Sequence, residues 1–145
     1  MVVGLAIAVM AAVAFVALMP RSSGDGWRLD RAAAWEEPLP DELDPSVVVY
    51  GSDARSVGFG VTVYGDPSCP PELRGAGIGE DDIRVVIADR RPIGYWLGLS
   101  YCNLGARPYQ FGILVERDRL PDTPFDVVVF QDERPPETFA IESLP

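Results

Sequence analysis

The chain has 145 residues and a net charge of −10, its twelve cations are all arginine, and it has no histidine. After an apolar N-terminus about 125 residues remain, enough for one domain with a real core, and their acidity disfavours nucleic acid as a partner. Without histidine there is no Ser-His or Cys-His nucleophile system and no His-ligated metal, and no cofactor is expected.

Residues 2–19 form an uncharged apolar run of eighteen. At 1.5 Å per residue it covers about 27 Å, close to the thickness of a bilayer core. A cleaved signal peptide has a basic start, a shorter apolar stretch and a small-residue site behind it. Here the chain begins Met1-Val2-Val3 with no basic residue, and no lipobox cysteine follows. The sequence therefore favours an uncleaved anchor over 1–20, with the lipid bilayer met through residues 2–19. Arg21, Arg28 and Arg31 lie just behind the run, which by the positive-inside rule would place the domain in the cytoplasm. The two cysteines argue for the other side. Residues 21–45, rich in Ser, Gly, Pro and acids, read as a linker, with Trp27 suited to the membrane interface.

From Ser46 the pattern changes to short apolar runs of period two, punctuated by Gly, Pro and Asp. The expected strands are 46–50, 57–64, 83–88, 95–102, 109–116, 125–130 and 138–141. Odd positions carry the apolar face: Phe59, Val61 and Val63; Ile83, Val85 and Ile87; Tyr109, Phe111, Ile113 and Val115; Phe125, Val127 and Val129. About seven short strands without an intervening helix predict an all-β domain over 46–145. Its expected form is an antiparallel β-sandwich, Ig-like in architecture.

Cys69 and Cys102 are the only cysteines. There is no C-x-x-C and no helix N-terminus to activate a thiol, so a structural disulfide is expected over a redox pair, and with it an oxidising compartment. The run Gly65-Asp66-Pro67-Ser68-Cys69-Pro70-Pro71 is followed by Ile83-Arg84-Val85-Val86-Ile87, Cys102, Leu120-Pro121 and Phe125-Asp126-Val127-Val128-Val129. This succession resembles small secreted or membrane-anchored proteins of high-GC Gram-positive bacteria, departing from their pattern at Pro67, Asn103 and Gly105. The resemblance implies a β-sandwich, export and one disulfide, and carries no assigned activity.

Motifs for catalysis are weak. Gly75-Ala76-Gly77-Ile78-Gly79 lacks the lysine and following helix of a phosphate loop and reads as a flexible loop. Glu80-Asp81-Asp82 lacks calcium-loop spacing and reads as a solvated charge run. Ser100 is in no nucleophile elbow. An envelope enzyme using paired carboxylates, such as Asp66 with Asp122 or Asp126, is the alternative to a binding module, as is a purely structural accessory subunit.

One stretch stands out for recognition. Arg90, Arg91, Pro92, Tyr95 and Trp96 combine cations and aromatics within an acidic domain, and these residue types are enriched at binding hot spots. Either Tyr95 and Leu97 continue a core face while the arginines pair with local acids, or Trp96 stands outward with Arg90 and Arg91. In the second case it would receive an extracytoplasmic protein, peptide or glycan. The sequence thus favours a non-catalytic, single-pass membrane protein with an extracytoplasmic binding domain.

Overall fold

The structure is a computed structural model and describes residues 26–31, 45–102, 106–132 and 134–145. The expected anchor at 2–19 lies outside them, and among the described residues no helix is long and apolar enough to cross a membrane.

Eight strands form two four-stranded sheets: β1 (Trp27–Asp30), β2 (Ser46–Ser52), β3 (Ser56–Gly65), β4 (Pro71–Ile78), β5 (Asp82–Asp89), β6 (Arg107–Glu116), β7 (Phe125–Gln131) and β8 (Glu137–Ile141). One sheet has the order β1-β6-β3-β2 and the other β4-β5-β7-β8. The odd positions of β3, β5 and β7 are buried as the alternation requires, joined by Ile113 and Val115 of β6 and Ala76 of β4 in one apolar cluster between the layers. Phe59 of one sheet meets Phe125 of the other edge to face, 6.1 Å between ring centres.

Three features correct the sequence reading. A strand, β1, lies inside the stretch read as linker and pairs with β6, and Trp27 packs on the core instead of waiting at a membrane interface. The glycine-rich stretch read as a flexible loop forms, up to Ile78, the second half of β4, paired with β5 after a register shift between Leu73 and Gly75. Residues 95–102 are not a strand: Ile93–Trp96 is a single helical turn, α1, and the chain then turns back.

The sheets are also not wholly antiparallel. β5 and β7 run parallel, because the chain leaves β5, crosses to the other sheet, returns along β6 and crosses back. Local chemistry shapes the connections. Between β2 and β3 the Asp53 carboxylate accepts the N–H groups of Arg55 and Ser56, both at 2.7 Å, and these bonds hold its pKa below the usual carboxylate value. β3 is buried along its length, and on its outer side Gly58 receives the Tyr50 ring; a Cβ there would come within 2.6 Å of Cζ. Tyr50 thereby reaches Asp30 and donates its hydroxyl at 2.6 Å.

Candidate functional site

Two crossovers between the sheets leave from the same end of the sandwich, and the disulfide joins them. The first, from β3 to β4, is a tight turn in which Asp66 accepts the Ser68 N–H at 2.7 Å through its side chain and the Cys69 N–H at 3.0 Å through its carbonyl. Pro67 occupies the position where a fixed φ favours such a turn. The second runs from β5 to β6 through residues 90–106. Cys69, fully buried, is bonded to Cys102 with their Cα atoms 5.5 Å apart. The expected bridge is present, and its effect is to fix the base of the second crossover.

Above that base the chain folds on itself. The Gly94 carbonyl accepts the N–H groups of Leu97, Leu99 and Ser100 at 3.2, 2.8 and 3.2 Å, and Gly98 donates to Tyr95 at 3.1 Å. Gly98 has φ +69°, a left-handed conformation that ends the turn and that glycine adopts without strain. These short-range bonds turn the backbone from Pro92 to Ser100 on itself, and a chain so turned is not extended for pairing, which is why the expected strand is absent.

Of the residues singled out for recognition, Arg91, Tyr95 and Trp96 are brought together here. Arg91 places its guanidinium 5.0 Å from the centre of the Tyr95 ring and 5.6 Å from that of Trp96. The two rings meet edge to face at 5.7 Å. Arg91 also pairs with Asp132 at 3.8 Å, and Arg90 with Glu72 at 3.5 Å. Both sequence alternatives thus hold in part: the arginines pair with nearby acids, as the first proposed, and Trp96 stands outward, as the second did. No core face continues through Tyr95 and Leu97, since α1 buries no residue.

Sequence reasoning missed most of the exposed tip. Ile93, Trp96, Leu97, Leu99 and Tyr101 are each 68 to 86 % exposed. Their signal was weak: 93, 95, 97, 99 and 101 keep the period of two of a half-buried strand, and only the glycines at 94 and 98 and the apolar Trp96 between them argue against one.

The carboxylates singled out beforehand are not brought together. Asp66 follows β3 at the loop end, where Gln131, closing β7, donates to the Tyr64 carbonyl at 2.9 Å. Asp122 and Asp126 lie at the start of β7, so about 17 Å of strand separates Asp126 from that end. Glu80, Asp81 and Asp82 form no cluster able to hold a metal, and no such cluster exists among the described residues.

The carboxylates that do meet are Asp89 and Asp132. Asp132, at φ +41°, accepts the Asp89 N–H at 2.9 Å, while Asp89 Oδ1 is buried without a hydrogen bond. Burial first, and then the charge of Asp132, push the Asp89 carboxyl up, against the pull of Arg134, Arg91 and Gln131. A carboxyl raised in the folded state binds its proton more tightly folded than unfolded. Its contribution is therefore fully present below the usual aspartate value and is lost as pH rises through the folded value. Asp89→Asn should then melt higher than the parent at neutral pH, the gain vanishing below about pH 3.5. Thermal melts across this range check it, and equal melting temperatures at pH 7 would refute it.

No family model, curated protein or solved structure matches the chain. The site therefore has to be read from its own geometry.

Proposed function

We propose that the chain is a membrane-anchored, extracytoplasmic binding module of the cell envelope, without catalysis. Residues 2–19 hold it to the bilayer and the loop from Arg90 to Tyr101 engages its partner. The observation that carries this reading is the set of five large apolar side chains left in water on a loop whose base is fixed by a disulfide. Soluble monomers rarely leave contiguous apolar surface uncovered, and where they do it marks an interaction site. A loop already held in shape loses less conformational freedom on binding than a flexible one. The disulfide supports export, since structural bridges persist in oxidising compartments.

The test is a photo-crosslinking side chain at position 96 in intact envelopes, with position 123 as control. Thr123 is exposed and lies before β7, at the opposite end of the sandwich. Position 96 should give an adduct that position 123 does not. No adduct, or the same products from both positions, would remove the loop as the binding element. A C-terminal alkaline phosphatase fusion should be active, and an inactive one would place the domain in the cytoplasm.

A further inference from the structure

A cavity of about 440 Å³ opens at the end of the sandwich away from the loop, where β1, β6 and the turn from β2 to β3 meet. The strand register says which side chains reach it. Trp27 pairs with Val115 and Arg28 with Leu114 between β1 and β6, while Ser56 pairs with Glu116 and Val57 with Val115 between β3 and β6. Directly paired residues share a face, and Trp27, Val57 and Val115 take the core side. Arg28, Ser56, Leu114 and Glu116 therefore stand on the outer face. β1 and β3 lie two strand spacings apart, about 10 Å, with β6 between them, so Glu116 sits between Arg28 on one side and the turn bearing Arg55 on the other.

The charges in this cavity are not paired with each other. Elsewhere arginines meet nearby acids: Arg74 and Arg90 at Glu72, Arg84 at Asp82, Arg91 at Asp132. Arg28, Arg55 and Glu116 line one cavity, yet among the described residues none of them forms an ion pair. An exposed pair of long side chains is worth little, so standing apart costs the fold little and leaves both signs open to a bound molecule. Asp53 adds a second carboxylate, one oxygen of which holds the turn. Two cations are thus balanced by two acids around the half-buried Leu114. A phosphate would meet Arg28 and Arg55 but also the repulsion of Glu116 between them, and a simple cation would meet the reverse. A molecule carrying both an ammonium and a carboxylate satisfies the whole lining.

We infer that this cavity is a second binding site, which takes a short zwitterionic peptide: Glu116 holds the ammonium, the guanidinium groups of Arg28 and Arg55 draw the carboxylate, and the middle of the ligand lies on Leu114. Size favours a peptide over a single amino acid. A dipeptide spans about 7 Å, which with the reach of two arginine side chains covers the two strand spacings. The volume also lies within the range of about 300 to 1,000 Å³ usual for small-molecule sites. The site is separate from the loop at residues 90–101, since the ten residues of β6, about 30 Å, lie between them.

Calorimetric titration of the full chain in detergent micelles with alanyl-alanine tests this. Two blocked forms serve as comparisons: the N-acetylated dipeptide, which lacks the ammonium, and the dipeptide amide, which lacks the carboxylate. The unmodified dipeptide should bind, and each blocked form should bind about tenfold more weakly or worse, because each loses a charge-assisted contact. Arg28→Gln, Arg55→Gln and Glu116→Gln should each weaken the unmodified dipeptide about tenfold at an unchanged melting temperature, these side chains being exposed. In Glu116→Gln, N-acetylation should cost little more, since the group it blocks has already lost its partner. No binding at millimolar dipeptide, or variants that bind it as the parent does, would overturn the inference. Tighter binding of the acetylated form would make this a simple anion site and overturn it as well.

Discussion

Replacing Phe59 by alanine should cost about 3 to 5 kcal/mol, the largest loss expected from one side chain in this domain. Phe59 lies on β3, which is central in its sheet, is 1 % exposed, and packs edge to face on Phe125 at the start of β7 in the other layer. Truncation removes the transfer free energy of the ring and leaves a cavity between two sheets that cannot both close on it. Domains of this size are stable by about 5 to 15 kcal/mol, so the loss is a large fraction of the whole. Urea denaturation would show a lowered midpoint with an unchanged slope. A cost under about 1 kcal/mol would mean that Phe59 is not the contact between the layers that the geometry implies. Phe59→Leu keeps most of the volume and should lose roughly 1 to 2 kcal/mol.

The core was legible because one period governed it. In β3, β5 and β7 the odd residues from Val57 to Val63, Ile83 to Ile87 and Phe125 to Val129 are all apolar, and a two-residue repeat admits only one face toward the other layer. β4 was not legible for the opposite reason: Pro71-Glu72-Leu73-Arg74-Gly75-Ala76-Gly77-Ile78 has no sustained alternation, and its pairing with β5 passes a bulge that shifts the register. β1, four residues long, carries too little pattern to separate from a linker, and its strand state depends on docking against β6. The parallel placement of β5 beside β7 is a property of two crossovers far apart in sequence, and no local signal encodes it.

The site was half legible for a related reason. Residue types marked the location, since Arg90, Arg91, Tyr95 and Trp96 are clustered in an otherwise acidic chain. Parity, used to aim Trp96 outward, did not apply to a helical turn. The outward position is instead set by α1, by the left-handed Gly98 and by the disulfide that returns the chain to the sandwich. The partner carboxylates of the arginines, Glu72 and Asp132, come from β4 and from the residue after β7, which only the folded topology brings near.

Reduction of the disulfide, or the double variant Cys69→Ser with Cys102→Ser, should lower stability by about 3 to 4 kcal/mol. The bridge spans 33 residues, and in the chain-entropy model a loop of that length restricts the unfolded ensemble by that amount. For a domain of this size the melting temperature should fall by roughly 10 to 20 °C. The bridge also joins two crossovers that are otherwise held by the Arg90 N–H donated to the Pro70 carbonyl at 2.9 Å and by their strand ends, so its loss should be felt first at residues 90–106. Limited trypsin digestion should therefore cut the double variant in that segment, after Arg90, before the sandwich unfolds. Phe59 lies six residues back along β3 from Gly65, about 20 Å from the disulfide end, beyond the range at which neighbouring sites couple. Combining the cysteine changes with Phe59→Leu should accordingly give the sum of the separate losses to within about 0.5 kcal/mol. A sum that falls short by more would mean that the clamp and the inter-sheet core act as one unit, and a double cysteine variant that melts with the parent would mean that the crossovers hold together without it.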